Sequence, residues 1–107
     1  MSIYDRSPGG REQDIKEILN LMVSYAPGDV TLISKAYNFA KNAHTEHERL
    51  SGEPYLVHLV GTAKNLATMK ADPQTVAAGL LHDTLEDTET TPVEILREFG
   101  PDILFLV

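Results

Sequence analysis

The apolar residues of this chain recur at helical spacing, in short runs cut by proline and glycine, and that pattern restricts it to a small all-α fold. Ile15, Ile18, Leu19, Met22 and Val23 make one stripe from Gln13 onward, which Ala26-Pro27-Gly28 is expected to end. Asp29 can cap a second helix, with Ile33, Ala36, Tyr37, Ala40, Ala43 and His44 on its inner face. Around His47 the pattern fails. Arg49-Leu50-Ser51-Gly52-Glu53-Pro54 reads as a loop, because glycine and proline both disfavour helix continuation. A third helix is expected from Tyr55 to about Met69, with Tyr55, His58, Leu59, Thr62 and Leu66 sharing a face. Asp72-Pro73 opens a fourth, aspartate as cap and proline in the first helical position, which carries Val76, Ala77, Leu80 and Leu81 into His82-Asp83. Thr91-Pro92-Val93-Glu94 is a capping box for a fifth helix that Gly100 ends, and Pro101 begins a sixth. No stretch alternates with period two and no hairpin signal appears. The expectation is about six helices in one domain over residues 13–107, after a polar, flexible lead-in over 1–12.

Composition narrows the functions open to such a domain. A net charge of −7 argues against nucleic-acid binding, which needs a basic face. It leaves a phosphorylated substrate open, since a bound divalent cation can reverse the field inside a cleft. The absence of cysteine excludes disulfides and thiolate metal sites. The N-terminus lacks the apolar segment of a secretory signal, and no apolar run is long enough for a membrane span, so a cytoplasmic location without membrane contact is the expectation.

Chemistry concentrates in His82-Asp83-Thr84-Leu85-Glu86-Asp87. Four groups able to bind a metal or move protons lie within six residues there. On a continuous helix His82 and Glu86, and likewise Asp83 and Asp87, would be one turn apart. Ala77-Ala78-Gly79-Leu80-Leu81 carries the first of them toward the interior, where an unpaired charge is costly and a cation would remove the cost. From the local spacing alone, a solvated acidic helix end with a surface histidine is an equally good reading. His58 adds weight to the metal. A lone histidine on an apolar helix face is more often a hydrogen-bonded core residue, but packing of neighbouring helices can bring His58 against His82 and Asp83. Two imidazoles and a carboxylate suit Mn, Fe, Co or Zn. Arg49, in the loop ahead of the His58 helix, is either an exposed connector residue or a guanidinium placed to stack on a base or grip phosphate.

These motifs together resemble the hydrolase domain of the RelA/SpoT homologues, an HD-type helical domain. The resemblance runs through Ala43-His44, Arg49-x-Ser51-Gly52-Glu53-Pro54-Tyr55-x-x-His58, Ala77-Ala78-Gly79-Leu80-Leu81-His82-Asp83-Thr84-x-Glu86-Asp87-Thr88 and Phe99-Gly100. It covers residues 13–107 with motif order and spacing kept, and the helix ahead of residue 30 is most like the long, bifunctional members. The resemblance implies hydrolysis of the 3′-pyrophosphate of guanosine tetra- and pentaphosphate (ppGpp and pppGpp), with Mn²⁺ as the usual cation. It implies His58, His82 and Asp83 as metal ligands, Glu86 and Asp87 as the acidic pair that activates water, and Arg49 as a guanine contact.

The sequence departs from the family at three places. Leu50 stands where active members carry a cation, and Leu59 replaces a proline after the ligand histidine. The family's fourth ligand, an aspartate on a later helix, has no counterpart: Asp102 is the only aspartate after Asp87 and lies outside the motif. Water fills that position, a second chain supplies a ligand, or the metal is absent. The domain thus reads as cut short, and Ile103, Leu104, Phe105, Leu106 and Val107 lead to an expectation of self-association. Two alternatives stand beside the hydrolase: a pseudo-hydrolase that regulates an attached (p)ppGpp synthetase, and an HD phosphohydrolase acting on another nucleotide. His44 is expected to pack rather than ligate, and His47 to be exposed.

Overall fold

The computed structural model describes residues 12–22, 25–44 and 55–107. Val23, the lead-in up to residue 11, and the loop that holds His47, Arg49 and Leu50 lie outside the described residues. Among the described residues there are seven helical segments and no strand: α1 (Glu12–Leu21), α2 (Pro27–Ala43), α3 (Tyr55–Thr68), α4 (Pro73–Leu81), α5 (Thr84–Asp87), α6 (Pro92–Phe99) and α7 (Pro101–Leu106). The all-α expectation holds. The extra segment arises because α4 stops at Leu81, where a continuous helix through His82 and Asp83 was expected.

The core is organised around α4. Val76, Ala77, Ala78, Gly79, Leu80 and Leu81 are all buried. After its first turn the helix has no polar face and must lie inside the fold, and α4 packs chiefly between α2 and α3, with α7 also against it. Gly79 allows the close approach of α3, since a Cβ there would fall 2.6 Å from Leu66 Cδ1. From α2 come Ile33, Ala36, Tyr37 and Ala40, with His44 buried at its end and Ala43 half-buried. From α3 the deepest residues are Leu56, Leu59, Val60, Ala63 and Ala67, whereas His58, Thr62 and Leu66 are half-buried. The expected inner face of α3 is therefore rotated, because α1 covers one side of this helix and α4 another.

α1 contributes Ile18 and Leu19, with Met22 just after its end, and two polar contacts fix it. Tyr37 donates its hydroxyl to Asp14 at 2.8 Å inside the core, and Lys64 pairs with Glu17. α6 is joined to α2 by Lys35, which donates to the Glu98 carbonyl at 2.6 Å and lies 5.2 Å above the Phe99 ring. Phe39 meets the same ring edge-on at 5.5 Å.

Helix ends follow local chemistry. Pro27 starts α2 where it was expected to help end the previous helix, and Asp29 is not the cap. Proline at the first helical position loses no hydrogen bond, and Asp29, in the first turn, accepts the Ala26 N–H at 2.8 Å. Thr91 and Glu94 form the expected capping box of α6. At the end of α3, Ala71 N–H reaches Leu66 O and Lys70 N–H reaches Ala67 O, each at 3.0 Å, a Schellman closure with Lys70 at φ 66°.

Two of these ends can be tested by substitution. Lys70 occupies the left-handed region that costs a side-chain-bearing residue roughly 1 kcal/mol. Lys70→Gly is expected to raise the urea midpoint by a corresponding amount, and a lowered midpoint would refute the assignment. Asp72 accepts the Thr75 N–H at 2.8 Å, and this hydrogen bond holds its carboxyl below the ordinary aspartate range. A lowered folded pKa makes its contribution full above the ordinary aspartate value and lost as pH falls toward the folded one. Asp72→Asn should therefore flatten the acid limb of a stability–pH curve below about pH 4, and Asp72→Ala should cost about 1 kcal/mol at neutral pH.

Candidate metal centre

The C-terminal end of α4 presents His82 and Asp83 at the edge of the core. Leu80 and Leu81 are fully buried and anchor that end. Thr84, equally buried, donates its hydroxyl back to Leu81 O at 2.8 Å and turns the chain. Between them Asp83 takes φ −99° and ψ 0°, in the sparsely populated region between helix and strand where active-site residues are often found. From the facing side α3 supplies His58, one residue before the fully buried Leu59.

These three side chains converge. His82 Nε2 lies 3.2 Å from Asp83 Oδ2, and His58 Nε2 lies 3.6 Å from the same oxygen. The two imidazoles meet at a centroid distance of 5.5 Å and an angle of 63°. One ligand atom from each residue lies within 4.8 Å of the others, and no other set of three His, Asp or Glu side chains among the described residues is so placed. The side chains are 31% (His58), 35% (His82) and 18% (Asp83) exposed, so the site opens to solvent on one side.

The hydrogen bonding suits a cation. His82 Nδ1 is 2.6 Å from Gly79 O. A carbonyl can only accept, so Nδ1 carries the proton and Nε2 is the atom left to face Asp83. Two ring nitrogens directed at one carboxylate oxygen need a proton or a metal ion between them. A histidine that gives its second N–H to a backbone carbonyl is the arrangement that orients a metal ligand, and the two-nitrogen, one-oxygen donor set suits a borderline divalent ion.

The remaining expected residues are placed differently. Glu86 and Asp87 are exposed on α5 and take no part in the three-donor group. Asp87 lines an open cleft of about 720 Å³ together with Ala43, Thr88, Glu89, Thr90 and Glu94. The described lining does not include the three donors, so of the expected site residues Asp87 alone borders this space among the described residues. His44 is buried at the end of α2, as packing requires, and Arg49 lies outside the described residues. Sequence reasoning missed two contributors. Gly79 acts through its carbonyl, which only its position three residues before His82 could have suggested. Thr84 acts through a buried hydroxyl, for which its place beside the metal motif was the only signal.

Residues 36–107 match the family model described as HD domain. The chain is 44% identical over 96 residues to the guanosine-3′,5′-bis(diphosphate) 3′-pyrophosphohydrolase of Aquifex aeolicus, covering 90% of this chain and 14% of that protein. It is 46% identical over 83 residues to a probable enzyme of the same name from Mycoplasma pneumoniae, covering 78% of this chain and 11% of the relative. With the GTP pyrophosphokinase rsh of Brucella melitensis it shares 41% over 92 residues, 85% of this chain and 12% of that protein. The chain thus spans about a seventh or less of the length of these relatives. With the His-Asp pair at the end of α4 and a histidine facing it from α3, the chain belongs to the HD domain family, among the RelA/SpoT homologues.

Proposed function

We propose that this chain is a Mn²⁺-dependent hydrolase unit that removes the 3′-pyrophosphate of ppGpp and pppGpp. The observation that carries the reading is the convergence of His58, His82 and Asp83 within 4.8 Å, in an HD-family chain whose relatives bear that enzyme's name. In this reading the three side chains hold the cation, with the Gly79 carbonyl fixing the His82 ring. The cation, when bound, supplies positive charge at the phosphorus under attack and acidifies water. Glu86 or Asp87 accepts the proton of the attacking water and orients it, which suits the exposure of both and the place of Asp87 at the cleft. Arg49 contacts guanine. The substrate is a soluble nucleotide, which makes the cytoplasm the proposed location, and no helix among the described residues is long and apolar enough to cross a membrane.

Incubation with ppGpp and Mn²⁺ is expected to release pyrophosphate, and chelation or His82→Ala to abolish the release. Calorimetric titration should show Mn²⁺ affinity lowered at least about tenfold by His58→Ala or His82→Ala. Wild-type protein that leaves ppGpp intact, or His82→Ala that binds Mn²⁺ as the wild type does, defeats the reading. A substrate panel in which another nucleotide is cleaved in preference would point instead to a different HD phosphohydrolase.

A second reading is favoured by the relatives named GTP pyrophosphokinase, at 41–43% identity. There the domain regulates an attached synthetase and hydrolyses weakly or not at all. Leu50, where active members carry a cation, agrees with it, and the retained His82-Asp83-x-x-Glu86-Asp87 cluster counts against it. Weak Mn²⁺ binding that is insensitive to His82→Ala would select it. We also infer self-association through α7, where Phe105 is 89% and Leu106 45% exposed while Ile103 is buried. Sedimentation should show a concentration-dependent dimer that Phe105→Ser weakens, and a monomer at every concentration would rule it out.

A further inference from the structure

Glu86 and Asp87 are carried by a helix too short to hold itself. α5 has four residues, and one turn does not offset the cost of nucleating it. Its backbone closes on itself through Asp87 N–H to Asp83 O at 2.9 Å and Thr88 N–H to Thr84 O at 3.2 Å. Threonine hydroxyls supply the rest. Thr84 is tied to the end of α4 through Leu81 O at 2.8 Å. Thr88 Oγ1 donates to Thr84 O at 2.6 Å. A hydroxyl has one proton, so Thr88 Oγ1 accepts at its other two contacts, from Thr90 N–H at 3.1 Å and from the Thr90 hydroxyl at 2.8 Å. Thr88 is thus the node where the end of α5 is joined backward to Thr84, beside the His82-Asp83 turn, and forward to Thr90 in the link to α6. It is half-buried and lines the same cleft as Asp87.

We propose that Thr88 is a positioning residue: its hydroxyl fixes the α5 turn so that the Glu86-Asp87 pair keeps its place relative to the His58-His82-Asp83 centre. Serine retains one donor and two acceptor sites at this position, and valine retains none at nearly the same volume. The activity arm of the test rests on the hydrolase reading above; the exchange arm does not.

The experiment compares wild type, Thr88→Val and Thr88→Ser in the intact chain. In Thr88→Val, kcat for pyrophosphate release from ppGpp with Mn²⁺ is expected to fall about ten- to a hundredfold, the scale of a misplacement near 1 Å. KM and Mn²⁺ affinity should stay within about twofold, because the three donors are retained and valine keeps nearly the same volume at the cleft wall. Thr88→Ser is expected to recover most of kcat. A role in general stability alone would lower the metal-binding fraction and kcat together and would not give this split. Independently, amide hydrogen exchange at Asp87, Thr88 and Thr90 should quicken in Thr88→Val and stay protected in Thr88→Ser, with the α4 amides unchanged. Equal exchange in Thr88→Val and wild type overturns the inference, as does a serine variant that behaves like valine in either arm. If wild type releases no pyrophosphate, the hydrolase reading falls and the exchange comparison alone decides the role of Thr88.

Discussion

The burial of α4 is the constraint on which the rest of this structure depends. Six consecutive residues, Val76 to Leu81, are out of solvent. Full burial of an aliphatic side chain contributes roughly 1.5–3 kcal/mol, so Val76, Leu80 and Leu81 form the strongest apolar anchor near the site. The small residues beside them matter as much. Ala77, Ala78 and Gly79 keep the helix thin, and α3 comes close enough for Leu66 to occupy the space a Gly79 side chain would fill. That close approach carries His58 to His82. The three-donor group is therefore set by core packing, and its histidines need no long-range polar scaffold to find each other.

The polar contacts that do cross the fold serve orientation. His82 is held by the Gly79 carbonyl of α4, and Thr84 by the Leu81 carbonyl two residues further on, so the turn that bears His82 and Asp83 is fixed from α4 itself. Both histidines are about one-third exposed, which leaves room for ligands from solvent. With a net charge of −7 and Asp87, Glu89 and Glu94 around the neighbouring cleft, a polyphosphate meets an unfavourable field until a divalent cation is present. Under the hydrolase reading the cation is thus needed for substrate approach as well as for chemistry.

Much of this was legible from residue order. The helical stripes, the Asp72-Pro73 start, the Thr91 capping box and the Gly100 stop all rest on local rules, and the structure follows them. The meeting of His58 with His82 and Asp83 was also foreseeable, because an apolar helix ending in His-Asp has to end at the edge of a core. What local rules missed depended on competition or on neighbours. Ala26-Pro27-Gly28 carries breaker residues that serve equally well as a helix start, and only the chain's return to pack against α1 decides between them. The rotated face of α3 follows from α1 and α4 sharing it, which no single-helix periodicity contains.

The break between α4 and α5 is the part the pattern could not give, and it is what makes the adjacent His-Asp pair useful. In an unbroken helix successive side chains diverge by about 100°, so His82 and Asp83 would face different directions. At φ −99° and ψ 0° Asp83 leaves the helical path, and its carboxylate comes within 3.2 Å of its neighbour's Nε2. The same departure starts a new turn at Thr84, which carries Glu86 and Asp87 outward to solvent. One backbone irregularity therefore separates the motif into an inner pair that faces His58 and an outer pair exposed to solvent, of which Asp87 borders the cleft. A sequence that kept the six residues but continued the helix would lose both arrangements at once.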